Sequence, residues 1–303
     1  MLALLGNGPS ESRCALGGGF AAYGIYPDHK TDIAFHVFYQ SVQARGACEE
    51  FLFKHFNVDV SERIPTKKIA SIENGPDIWR YFAKPNKVRM KEARLDEDEY
   101  TAQCVIHVNN EIDGAFIFSS GKNMGCFKAV GYPEDVGEFY MLDQYDAYLW
   151  TAHGRFPTNT PGWWGGAHPF TLLDVSVVHN GEISSYDANR RCMEMYGYTC
   201  TLMTDTEVIA YMIDYLVRKQ GLTYSEAANV LAAPFCFRCR RIFLLCFRFG
   251  NRLRRRLLAR HFRSGGSFFL LVLLDQLCLQ GLHFCRFGIV PLQFCLLVFQ
   301  IKL

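Results

Sequence analysis

Apolar and polar positions change rhythm several times along this chain. Residues 17–26 (GGGFAAYGIY) and 32–39 (DIAFHVFY) are short β-favouring runs, and the turn-forming residues 27–31 between them predict two strands paired antiparallel. Residues 47–56 carry helical spacing, whereas 103–108, 114–119 and 126–130 are short runs separated by Asn, Gly and Lys turns. They predict strands, so the middle of the chain reads as sheet. Residues 148–153 and 172–179 predict two more strands, with a loop rich in Gly, Pro and Trp between them.

Beyond residue 200 the pattern becomes helical. TDTE at 204–207 and TYSE at 223–226 both have the form of a capping box, each opening a helix. The first helix carries Val208, Met212 and Leu216 on one stripe with Ile209 and Ile213 beside it, a face suited to cover a sheet. Many strands without a strict βαβ rhythm, followed by helices, predict a layered α+β domain rather than a doubly wound one. No internal repeat is visible. Gly17, Gly19 and Ala22 match a dinucleotide fingerprint, but strand-like residues follow where a helix would have to begin, which excludes a Rossmann unit.

Composition divides the chain near Phe235. With 303 residues, half of them hydrophobic, there is material for a sizeable core, but the net charge of +2 hides two unlike segments. Residues 1–235 hold 20 Lys and Arg against 29 Asp and Glu, a net −9, whereas residues 236–303 hold 12 against one, a net +11. Six of the twelve cysteines and 11 of the 25 phenylalanines lie in that second segment. Helix caps, amphipathic periodicity and acidic residues vanish there together, so it reads as an aberrant tail translated out of frame. Its longest apolar run, Phe268 to Leu274, falls well short of the roughly 20 residues that span a bilayer. The competing reading, a nucleic-acid or membrane appendage built on Arg252 to Arg256, is not favoured, so neither partner is expected. Cys236 and Cys239 have zinc-knuckle spacing but lack a second pair, and no metal is expected. The six earlier cysteines are scattered, which argues against a disulfide framework and for a reducing compartment. The first residues lack a basic n-region and an apolar run of signal length. The expected location is the cytoplasm.

The candidate chemistry lies between His153 and Glu207. HGRFPTNT at 153–160 and HNGEI at 179–183 each follow a predicted strand, whose rigidity fixes where the loop begins. Arg155 offers a planar fork suited to a carboxylate, and Asn180 with the Gly181 N–H offers two donors suited to an oxyanion. Together they fit acyl transfer on an amino acid. Singly, each has a plainer reading: an ion pair for Arg155, a turn for Asn180 and Gly181, a first-turn acid for Asp205, packing for Trp163 and Trp164.

The three motifs HGRFPTNT, HNGEI and TDTE, in this order and spacing, resemble the glutaminase domain of glutamate synthases, a class II (N-terminal-nucleophile, Ntn) glutamine amidotransferase. Residues 17–26 resemble a segment of the stand-alone, archaeal-type form, so the resemblance covers about residues 15–235. It implies the four-layer αββα sandwich of the Ntn hydrolases. It further implies that Arg155 binds the glutamine α-carboxylate and Asp205 the α-amino group, while Asn180 and Gly181 form the oxyanion hole. In that family an N-terminal Cys attacks the side-chain amide, with its own α-amine as base, and ammonia passes to a synthase partner holding FMN and iron–sulfur centres. The domain itself needs no cofactor.

Cys14 is the candidate nucleophile, exposed if thirteen residues are removed. It lies too close to Gly17 to leave room for the first strand and helix of the family, so the alternative is a chain whose nucleophile is missing or replaced. The expected organisation is a leader or non-native segment at 1–13, the amidotransferase domain at 14–235 and the tail at 236–303. The alternative function is a glutamine-binding or regulatory module without catalysis, or a truncated gene product.

Overall fold

A computed structural model describes residues 17–155 and 163–232. The expected boundaries at residues 13 and 235, together with Cys14 and the tail, lie outside them. The chain divides into two compact units, residues 1–215 and 216–303.

The first unit runs β1 (Gly17–Tyr23), β2 (Ile33–Tyr39), α1 (Val42–His55), β3 (Phe56–Arg63), β4 (Asp77–Pro85), α2 (Lys87–Ala93), α3 (Glu97–Glu111) and β5 (Ala115–Ser119). It continues with β6 (Met124–Val130), α4 (Pro133–Phe139), β7 (Leu149–Arg155), β8 (Phe170–Leu172), β9 (Val175–Val177), α5 (Tyr186–Met195) and α6 (Asp205–Asp214). In the second unit the described residues include, after a π-helical segment at Tyr215–Lys219, α7 (Tyr224–Ala232). Its first turn is closed by Thr223 and Glu226, and Ala227 and Val230 are its buried residues.

Two antiparallel sheets carry the first unit: β3-β4-β2-β5 and β6-β1-β7, with β8-β9 as a separate hairpin. The class is α+β, as the pattern predicts. The expected hairpin between the first two strands does not form, however, because they belong to different sheets. β2 is buried at every position, so it needs a partner on each edge and finds them in β4 and β5. The connection through a short 3-10 turn at Pro27–His29 is long enough to cross between sheets.

Alternate residues of β2 tie the layers together. Phe35 and Tyr39 face the side covered by α1, where Phe35 meets Phe56 with ring centroids 5.0 Å apart. His36 faces the other sheet, its Nδ1–H donating to the Cys126 carbonyl at 2.9 Å and its Nε2 accepting from the Tyr26 hydroxyl at 2.8 Å. Burial pushes its pKa down to about 3, so the imidazole is neutral and both ring nitrogens are satisfied.

Two further expectations change. Residues 103–108 are not a strand but the interior of α3, because Asp96 caps that helix by accepting the Glu99 N–H at 2.8 Å, and Tyr100, Cys104, Val105 and Val108 form its buried stripe. Residues 172–179 are not one strand, since the chain reverses at Leu173, in the left-handed region at φ 52°, and Asp174. α1 starts at Val42, ahead of the expected residue 47, because Ser41 caps it through the Ala44 N–H.

Candidate functional site

Arg155 is the last residue of β7, not a loop residue, and the strand's alternation places Thr151, His153 and Arg155 on one face. On the neighbouring strand Gly17 pairs with Arg155 and Gly19 with His153. These glycines leave a trough that residues 163–168 enter: a Cβ at Gly19 would lie 2.0 Å from the His168 carbonyl oxygen, and one at Gly17 would lie 3.0 Å from the Ala167 Cβ. The fingerprint-like Gly-x-Gly thus serves close backbone approach within a sheet. Across that trough the Arg155 Nη1 donates to the Gly166 carbonyl at 2.6 Å.

Asp205 opens α6. Thr204 caps the helix, its Oγ1 accepting the Thr206 N–H at 3.2 Å, while the Asp205 carboxylate accepts the Ile183 N–H at 3.0 Å. His179 Nδ1 stands 3.6 Å from the same carboxylate oxygen. Burial lowers the pKa of Arg155, and the Asp205 charge opposes that shift. Asn180 and Gly181 lie exposed in the loop after β9 that leads to Ile183, and a Cβ at Gly181 would stand 3.1 Å from His179 Nε2. The structure therefore brings Arg155, Asp205 and the loop of Asn180 and Gly181 to one region. Residues 156–162 and Cys14 fall outside the described residues.

Three buried groups were not among the candidate site residues. His168 lies 4.2 Å, centroid to centroid, from His153, and its Nε2 is 2.8 Å from the Thr206 Oγ1. Burial and the neighbouring His153, Lys128 and Arg155 push its pKa down to about 2, so it is neutral. Lys128 on β6 is 1% exposed and donates to the carbonyls of Gly165 and Pro169. Glu207 is 2% exposed, and its carboxylate accepts the Thr201 and Leu202 N–H groups, each at 2.9 Å. Burial raises its pKa to about 7 against those bonds and the Lys128 charge. A lysine inside the apolar run 124–130 was the available signal for the first of these charges. The side chains of Thr151, His153, His168 and His179 each present a buried polar atom without a hydrogen-bond partner among the described residues. Trp163 and Trp164 take the packing role, meeting Phe116 and Phe38 edge-on.

Volume alone points elsewhere. A groove of about 730 Å³ lies on the opposite face of β1 and β7, lined by Phe20, Leu142, Tyr145, Trp150 and Ala152. Lys67, Glu138, Asp143 and Gln144 also line it, and it holds none of the candidate site groups. Among the described residues His29, Asp32 and Asp59 are spaced for a cation, but the Lys84 ammonium already takes Asp32 at 3.0 Å.

Residues 47–214, from α1 to the end of α6, match the family model of class-II glutamine amidotransferases. The chain belongs to this family. The mixed α+β fold with antiparallel sheets is consistent with an Ntn-type amidotransferase domain. An uncharacterized protein of Archaeoglobus fulgidus is 53% identical over 222 residues, covering 72% of this chain and 58% of that protein. A glutamine–fructose-6-phosphate aminotransferase (isomerizing) of Acinetobacter baylyi is 34% identical over 93 residues, covering 31% of this chain and 15% of the enzyme. One from Wigglesworthia glossinidia brevipalpis is 32% identical over 119 residues, covering 38% and 19%. The chain thus spans little more than half of the archaeal relative and under a fifth of the aminotransferases. Among the described residues no helix is long and apolar enough to cross a membrane.

Proposed function

We propose that this class II domain binds glutamine between β7 and α6 and cleaves its side-chain amide, delivering ammonia to a glutamate-synthase-like partner in the cytoplasm. The observation that carries the reading is that residues 166–168 link the two charges, which come from separate elements: the Gly166 carbonyl takes the Arg155 guanidinium at 2.6 Å, and the His168 imidazole lies 2.8 Å from the hydroxyl of Thr206, next to Asp205. Such a pair suits the two ends of a free amino acid. Arg155 takes the α-carboxylate and Asp205 the α-amino group, while Asn180 and the Gly181 N–H stabilise the tetrahedral oxyanion. The aminotransferase relatives carry glutamine in their name, which supports it as the substrate. The domain works without a cofactor, and the partner supplies FMN and iron–sulfur centres.

Cys14 is the candidate nucleophile in this reading, and its closeness to Gly17 leaves as the alternative a chain whose nucleophile is missing or replaced. Burial pushes the thiols of Cys48, Cys104 and Cys126 up to about 11, 12 and 12, which suits inert core cysteines. Freed as an N-terminal residue, Cys14 would attack the amide carbon, its α-amine taking the thiol proton and returning one to the departing ammonia.

Calorimetric titration with L-glutamine and a coupled assay for released glutamate test the two levels separately. Arg155→Lys loses the bidentate fork and is expected to weaken glutamine binding at least tenfold, as is Asp205→Asn. Unchanged affinity in both variants would remove the pocket. If wild type and Cys14→Ala bind glutamine equally and neither releases glutamate, the chain is a glutamine-binding module and not a glutaminase.

A further inference from the structure

Lys128 sits midway along β6, flanked by Phe127 and Ala129, and is as buried as any apolar residue beside it. A buried ammonium is tolerated only where it is well bonded, since a methionine of similar length would fill the space without desolvation. Its Nζ donates to the Gly165 carbonyl at 2.9 Å and the Pro169 carbonyl at 3.2 Å, and lies 4.7 Å over the Phe170 ring. Both acceptors belong to one short turn, which Lys128 grips at each end from the sheet below.

Between the two grips lie residues that touch each arm of the candidate site. The Gly166 carbonyl receives the Arg155 guanidinium, and the His168 imidazole meets the Thr206 hydroxyl, one residue after Asp205. The Gly17 and Gly19 trough admits the same turn. We infer that Lys128 is a positioning residue: by fixing the 165–169 turn it sets where Arg155 and the start of α6 stand relative to each other. The inference rests on the glutamine-pocket reading for its consequence, though not for the tether itself. Loss of the ammonium leaves the Gly165 carbonyl without that donor and the Pro169 carbonyl with the weaker Cys126 thiol at 3.6 Å, and the turn is free to shift by the fraction of an ångström that matters to a bidentate contact.

The test uses the full chain in three forms: wild type, Lys128→Met, which keeps length and loses every donor, and Lys128→Gln, which keeps one donor group. Glutamine affinity is read by calorimetry and the tether by hydrogen–deuterium exchange over residues 163–170, with α3 as the reference region. Lys128→Met is expected to weaken glutamine binding at least tenfold and to speed exchange in 163–170 at least tenfold, with α3 unchanged and Lys128→Gln between the two. A lower Tm with exchange raised evenly through β6 and α3, and unaltered affinity, would mean that Lys128 only supports the core and would overturn the proposal. If wild type fails to bind glutamine, the pocket reading falls by itself. Exchange then still decides, since a localised response keeps the tether and an even one removes it. Should Lys128→Met not fold, Lys128→Gln carries both readouts.

Discussion

Two helices of this chain begin on the same pattern, Thr-x-x-Glu, and use it differently. At α7 the reciprocal box closes: Thr223 Oγ1 accepts the Glu226 N–H at 3.2 Å and Glu226 accepts the Thr223 N–H at 2.8 Å. At α6 Thr204 still caps the helix, through the Thr206 N–H, but Glu207 turns away and holds the Thr201 and Leu202 N–H groups instead. The first glutamate serves its own helix. The second, almost wholly buried, holds the turn that leads into the site and leaves Asp205 to accept the Ile183 N–H. A local pattern is enough to start a helix, and burial decides what the glutamate does there.

The comparison breaks most severely at Glu207. Glu207→Ala leaves two buried N–H groups without acceptors, which costs about 2–4 kcal/mol in urea denaturation and weakens glutamine binding through Asp205. The matching change at the other box, Glu226→Ala, costs only about 0.5–1 kcal/mol and leaves binding as it was. Equal losses at the two positions would erase the distinction drawn between them.

Next in size is the pH dependence. Glu207 has its folded pKa raised to about 7 from an ordinary 4.5, so the folded state binds the proton more tightly. Its contribution is therefore complete below about pH 4.5 and is lost as pH rises through 7, a swing on the order of 3 kcal/mol. Between pH 5 and 8 the urea midpoint of wild type should fall relative to that of Glu207→Gln, which cannot titrate there. Parallel midpoints would show that the proton affinity of Glu207 is not raised in the folded state over that range.

The smallest effects fall on the caps themselves. Thr204→Ala and Thr223→Ala should each cost about 1 kcal/mol, because both threonines accept an N–H at their helix start whatever the glutamate does. A much larger loss at Thr204 would mean that its hydroxyl, too, has been drawn into the site.

Much of the fold was legible wherever local chemistry and final environment agree. β5, β6 and β7 are apolar runs with turns at their ends, and the caps at Thr204 and Thr223 announce helices that do form. The failures are local readings overruled from a distance. Residues 103–108 look like a strand until the cap at Asp96 is weighed, and residues 172–179 break into a hairpin at Leu173. Of the candidate site, Arg155 and Asp205 were visible as motif residues, and residues 166–168 touch Arg155 on one side and Thr206, next to Asp205, on the other. Lys128, His168 and Glu207 were visible only as a stray lysine, a His before Pro169 and a capping glutamate. Their bonds run to carbonyl, hydroxyl and N–H partners whose positions no short motif encodes.

By itself the sequence determined the α+β class, the starts of α6 and α7 and the family, because periodicity, caps and motif order are properties of near neighbours along the chain. The tertiary structure alone decided that β1 and β2 part into different sheets, that Gly17 and Gly19 form a trough for the 163–168 segment, and that two buried charges grip the turns around the site. Edge pairing, close backbone approach and desolvation depend on groups distant in sequence, and their energies exist only once those groups have been brought into contact.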